Sequence, residues 1–103
     1  MGYMRHHTIV VTSWSKDAIT QAHYRAKSIF PWVSPISPVV VNGYRSFFVP
    51  PDGSKEGWEP SKVGDKGRDE FIEWLEQVSD YCRWVEVQFG DEERKNKVLR
   101  NSK

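Results

Sequence analysis

Val39-Val40-Val41-Asn42-Gly43-Tyr44-Arg45-Ser46-Phe47-Phe48-Val49 decides how this chain is read, because Asn-Gly stands between two runs of β-branched and aromatic residues. Both turn residues tolerate positive φ, as a two-residue hairpin turn demands, so the stretch predicts strand, turn, strand. Just upstream, Pro31, Pro35 and Pro38 alternate with Ser34 and Ser37. Neither a helix nor a central strand survives that spacing of prolines, which makes this segment an extended connector into the hairpin.

Before the connector, Ser15 is placed to cap a helix whose apolar positions Ala18, Ile19, Ala22, Ala26, Ile29 and Phe30 recur at helical spacing, with Asp17 in the first turn. Residues 7–14, from His7 to Trp14, are β-prone and carry three apolar residues in a row, which suits a central strand. After the hairpin, residues 50–67 hold glycines and prolines without periodicity and read as a long loop. Phe71, Trp74, Leu75, Val78, Tyr81 and Cys82 then fall on one helical face, behind Asp69 and Glu70. Val85, Val87 and Phe89 alternate with Trp84, Glu86 and Gln88, as in a half-buried strand.

The succession β-α-β-β-α-β predicts an α+β, ferredoxin-like sandwich: an antiparallel four-stranded sheet in the order 4-1-3-2, with both helices on one face. Residues 7–91 form the domain, residues 1–6 an N-terminal extension and residues 92–103 a charged C-terminal tail. At 103 residues, with 38% hydrophobic and 28% charged side chains, there is material for one core and no reason for disorder.

Fifteen basic against fourteen acidic residues give +1, so any pull on nucleic acid must come from a local patch. Cys82 stands alone, which rules out an internal disulfide and a thiolate metal site and fits the cytoplasm. No apolar run is long enough to span a membrane. His6, His7 and His23 lack metal-ligand spacing, so neither metal nor cofactor is expected.

Alternation also predicts what each sheet face carries. With Ile9, Val11, Phe47, Val49, Val85 and Val87 towards the helices, the open face holds Thr8, Val10, Thr12, Trp14, Tyr44, Ser46, Phe48, Trp84, Glu86 and Gln88. Trp14, Tyr44, Phe48 and Trp84 would make that face a homodimer interface or a platform for a partner, unless the loop or tail covers it. The loop supplies a second candidate, an anion or nucleotide pocket built from Lys55, Trp58, Lys66 and Arg68 ahead of a helix N-terminus, with Arg45 contributing. RNA-recognition domains stack bases on such a sheet, but Asn42-Gly43-Tyr44-Arg45-Ser46 keeps only the Gly-aromatic pair of their third-strand signature.

Residues 4–14, 41–48 with the Pro-Asp-Gly-Ser-Lys-Glu-Gly-Trp that follows, and 84–91 resemble small uncharacterised proteins of tailed bacteriophages. That resemblance brings no catalytic motif. It implies an accessory protein of the host bacterial cytoplasm that acts by contact, engaging or inhibiting a host protein or sequestering a small nucleotide. The residues themselves point the same way: no convergent acid, base and nucleophile is legible, so a non-enzymatic binding protein is expected. A nucleic-acid-binding module using the aromatic face and the basic tail is the first alternative. A small phosphoesterase using His6 with Arg45 or Lys55 is the second; His6-His7-Thr8 offers one His-x-Thr where the two-histidine mechanism needs two.

Overall fold

The computed structural model describes residues 5–53, 59–78, 81–90 and 93–102. It is an α+β structure: β1 (Arg5–Ser13), α1 (Lys16–Ile29), β2 (Arg45–Val49), α2 (Glu59–Val78), β3 (Arg83–Gly90) and β4 (Lys97–Asn101). The four strands make one antiparallel sheet in the order β2-β1-β3-β4. Ile9, Val11, Phe47, Val49 and Trp84 from the sheet form one buried cluster with Ile19, Ala22 and Ala26 of α1 and Phe71, Ile72 and Leu75 of α2. Both helices therefore cover the same face, and the other face is open.

Local chemistry explains the first half of the chain. The Ser15 hydroxyl accepts from the Ala18 N–H and caps α1, as its position in the sequence indicates. The chain reverses at Asn42 (φ 62°) and Gly43 (φ 76°), where the left-handed region suits these two residue types.

The segment leading into that turn differs from expectation, since Val39 and Val40 form no regular strand and Val41 opens a 3-10 turn, Val41–Gly43. Pro35 and Pro38 have no N–H to give to a ladder. Instead Ser34 and Ser37 each serve one β2 residue twice. Their N–H groups donate to the Phe48 and Ser46 carbonyls at 3.0 and 2.8 Å. Their hydroxyls accept from the Phe48 and Ser46 N–H groups at 2.9 and 3.0 Å. The connector is thus an irregular ribbon that seals the outer edge of β2.

The fourth regular strand comes from the C-terminal segment that the sequence alone assigns to a charged tail. β4 pairs with β3, with a register shift between Glu86 and Val87 that leaves Leu99 as the extra residue. The strand is anchored beyond its end by reciprocal bonds between Ser102 and Trp84: the Ser102 N–H donates to the Trp84 carbonyl and the Trp84 N–H to the Ser102 hydroxyl. At the other terminus, Arg5 and His6 belong to the sheet, paired with Gly90 and Phe89, and not to an extension.

α2 begins at Glu59, so the loop expected over residues 50–67 ends well before Gly67. Gly64, Gly67, Arg68, Phe71, Ile72 and Leu75 form its buried stripe at helical spacing. A Cβ on Gly67 would stand 3.0 Å from the Phe30 ring and 3.1 Å from the Ile29 side chain. Glycine is kept there because α1 and α2 approach too closely for anything larger.

Candidate functional site

Register settles which side chains share the open face. Ile9 lies opposite Glu86 and Val11 opposite Trp84, and side chains directly opposite one another in a sheet point the same way. Ile9 and Val11 are in the core, so Trp84, Glu86 and Gln88 face the helices too; the three are buried, Trp84 to 6% exposure. This corrects the phase expected for the strand: Trp84 is a core residue, not part of an aromatic platform. Val85, Val87 and Phe89 take its place on the open side, with Tyr81 just ahead of the strand in the same alternation.

The open face can then be described in rows across the sheet. Val10 lies between Phe48 and Val85. Val87 lies between Thr8 and Val98. Phe89 meets the ring of His6 at 5.2 Å. Towards the other end, Thr12 separates Ser46 from Arg83, and its hydroxyl bonds that of Ser46 at 2.7 Å. Beyond that polar row stand Trp14 and Tyr81, 55% and 58% exposed, in edge-to-face contact at 5.6 Å. Tyr44 belongs to the same end: Arg45 is the partner of Ser13, so one step further along the two strands Tyr44 and Trp14 share the open-face phase. Val40, exposed like its neighbours Val39 and Val41, donates its N–H to the Tyr44 carbonyl at 3.0 Å.

The open face is therefore in two parts. One end is amphipathic, with Trp14, Tyr44 and Tyr81 offering ring surface together with N–H and O–H groups. The other is dry, with Val10, Phe48, Val85, Val87, Phe89 and Val98. Among the described residues no carboxylate sits in any of these rows, and Arg83 is the one guanidinium. Of the residues singled out from sequence, Trp14, Tyr44 and Phe48 meet on this face. Arg45 does not join them: it lies opposite the buried Ser13, in the phase of Phe47 and Val49, and so belongs to the helix-covered face. Tyr81 and Phe89 escape a sequence reading that assigns the first to a helix stripe and the second to the core.

The second candidate does not assemble as an anion pocket. Lys55 and Trp58 lie outside the described residues. Lys66 is exposed on the body of α2, not at its N-terminus. Arg68 is buried and turned inward, hydrogen-bonded to Asp65 and 3.7 Å from a carboxylate oxygen of Glu86. Arg100 of β4 grips the same Glu86 with two hydrogen bonds and reaches Asp69 at 2.9 Å. Two arginines are matched by three carboxylates, so this cluster ties α2, β3 and β4 together and leaves Arg68 no charge to offer a phosphate.

His7 lies against this network. Burial, then the neighbouring Arg68, pushes its pKa below the ordinary histidine value, and its Nδ1 is buried without a hydrogen-bond partner. His23 is structural, bonded to the Ser34 carbonyl and edge-on to Phe47 at 5.1 Å. Cys82 is buried, as its place at the end of an apolar stripe suggests. Among the described residues no group of histidines, cysteines and carboxylates could hold a metal, and no helix is long and apolar enough to cross a membrane. An open hollow of about 360 Å³ on the flank of α1 is lined by Thr20, His23, Tyr24, Lys27 and Ser28, of which His23 is bonded to the Ser34 carbonyl and Ser28 to the Arg25 carbonyl.

Comparison with protein-family models, with curated proteins and with solved structures returns no match.

Proposed function

We propose that this chain is a non-enzymatic binding protein that docks on a partner protein through the aromatic end of its open sheet face. The observation that carries the reading is the exposed Trp14–Tyr81 pair beside Tyr44, with Arg83 in the adjoining row of the same face. Tryptophan, tyrosine and arginine are the residues in which protein–protein binding energy concentrates, since each combines a large contact area with a directional polar group. Ring and aliphatic surface dominate its rows among the described residues, so the face suits an apolar partner surface.

The scaffold is read as ferredoxin-like, with the Ser-Pro ribbon in the place of one edge strand and β4 added at the opposite edge. The resemblance to accessory proteins of tailed phages makes a host bacterial protein the partner of first choice, in an inhibitory or anti-defence role in the host cytoplasm. Nucleotide sequestration has less support, because Arg68 is already committed to Asp65 and Glu86. Nucleic-acid binding is disfavoured too, since the basic segment that would grip phosphates supplies β4 and turns Arg100 inward to Glu86.

The test is capture of a partner from bacterial lysate by the tagged chain, compared across variants. Trp14→Ala/Tyr81→Ala should lose the captured protein, while Tyr24→Ala, at a still more exposed aromatic on α1, should retain it. Capture that survives the double substitution would move the site elsewhere. Absence of any captured protein would remove the reading.

A further inference from the structure

We infer that the dry half of the open face is where two copies of this chain associate. The inference uses the division of the face into two parts but not the identity of any partner. Four of the side chains in this half, Val10, Phe48, Phe89 and Val98, are exposed, although each could have been polar at no cost to the core.

Three features single out a second copy. The first is self-compatibility. The rows Phe48-Val10-Val85-Asn101 and Thr8-Val87-Val98 contain no formal charge, and the Asn101 amide at the edge of the first already donates to the Ser102 carbonyl at 2.8 Å. Their one hydroxyl, on Thr8, already donates to the Val49 carbonyl at 2.7 Å. A two-fold axis can lay such a surface on itself without opposing like charges or stranding a polar group, which an isologous interface requires.

The second is the state of the sheet edges. On one side Ser34 and Ser37 occupy the outer N–H and C=O groups of Ser46 and Phe48. On the other, β4 is short, carries Lys97 and is kinked by the extra residue Leu99. Both are devices that discourage edge-to-edge pairing, so face-to-face packing is the association left to this sheet.

The third is size. The register places nine positions on this half, four in the Phe48-Val10-Val85-Asn101 row, three in Thr8-Val87-Val98 and two in His6-Phe89, and at about 4.8 by 6.8 Å each they make a patch of roughly 300 Å². That is under half of the about 800 Å² per copy that a standard stable interface uses, so the dimer is weak and reversible. A two-fold axis running across the strands superposes the dry halves and sends the aromatic ends to opposite poles. Both Trp14–Tyr81 pairs stay uncovered, and the dimer presents its docking surface twice.

Sedimentation velocity on the full chain, from about 5 to about 500 µM, tests this across the range where so small an interface associates. The weight-average mass should rise with concentration from 12.0 kDa towards twice that value. Val98→Asp, at an exposed edge-strand position that leaves the core intact, should raise the dissociation constant at least about tenfold, because it places like charges across the two-fold. Phe48→Asp should do the same. Trp14→Ala/Tyr81→Ala should not alter it, which separates this surface from the partner site. Far-UV circular dichroism establishes that each variant is folded. A monomer at every concentration, or a dimer indifferent to both aspartates, overturns the inference.

Discussion

Glu86, only 2% exposed, receives two hydrogen bonds from the Arg100 guanidinium, at 2.7 and 3.1 Å. A carboxylate in the core of so small a domain is tolerable only because Arg100 and Arg68 both reach it. An exposed ion pair contributes about 0–1 kcal/mol, whereas removing one partner of a buried pair costs about 3–5 kcal/mol by leaving a charge uncompensated. Glu86→Ala, which removes the buried carboxylate shared by both arginines and leaves them only the exposed Asp65 and Asp69, should lower the unfolding free energy by about 3 kcal/mol in urea titrations. Arg25→Ala, which removes the exposed pair with Glu70, should cost under about 1 kcal/mol. Equal effects of the two would contradict the account of the buried network.

Gly67 sits where α1 and α2 cross. Alanine is the better helix former by about 1 kcal/mol, but overpacking against Phe30 and Ile29 costs about 1–3 kcal/mol. Gly67→Ala should therefore be net destabilising, seen as a lower melting temperature. A stabilised variant would mean that the helices can move apart freely.

The Ser-Pro ribbon predicts a solubility phenotype. Ser34→Ala/Ser37→Ala removes the two hydroxyl acceptors of the Phe48 and Ser46 N–H groups, at about 1 kcal/mol each. It also loosens the cover on the β2 edge. The double variant should melt lower and scatter more light on heating than the parent. Unchanged scattering would show that the ribbon does not protect that edge.

His7 sets a pH dependence. Its pKa in the folded state is depressed, by burial first and then by Arg68 and Arg5, against the opposing pull of Asp65 and Glu86. The unfolded chain therefore takes up the proton more readily, and stability falls as pH drops below the ordinary histidine value near 6.5. Above that value His7 is neutral in both states and contributes no slope. Melting temperatures measured between about pH 7.5 and pH 5 should fall for the parent and fall less for His7→Gln. Parallel curves would rule out His7 as the cause.

Much of the fold is legible because its determinants are local. The Ser15 cap, the reversal at Asn42-Gly43 and the alternation of β1 and β2 each depend on a few neighbouring residues. The start of α2 is not local in this sense. Gly64 and Gly67 look like loop residues until Phe30 and Ile29 are packed against the helix. Nor is β4, whose strand character comes from pairing with β3, while its own composition reads as a solvated tail.

For the candidate site, the sequence by itself determined that Trp14, Tyr44 and Phe48 share the open face, because the alternation of β1 and β2 has one apolar phase. Only the tertiary structure decided the phase of β3. Its two faces, Trp84-Glu86-Gln88 and Val85-Val87-Phe89, differ by one residue in register, and periodicity favours burying the second. Arg68 and Arg100, distant in the chain, neutralise Glu86, and the Lys95 carbonyl accepts from the Gln88 amide at 2.8 Å. With those polar groups satisfied the first set goes inside, and the valines and phenylalanine are left outside as surface for a partner.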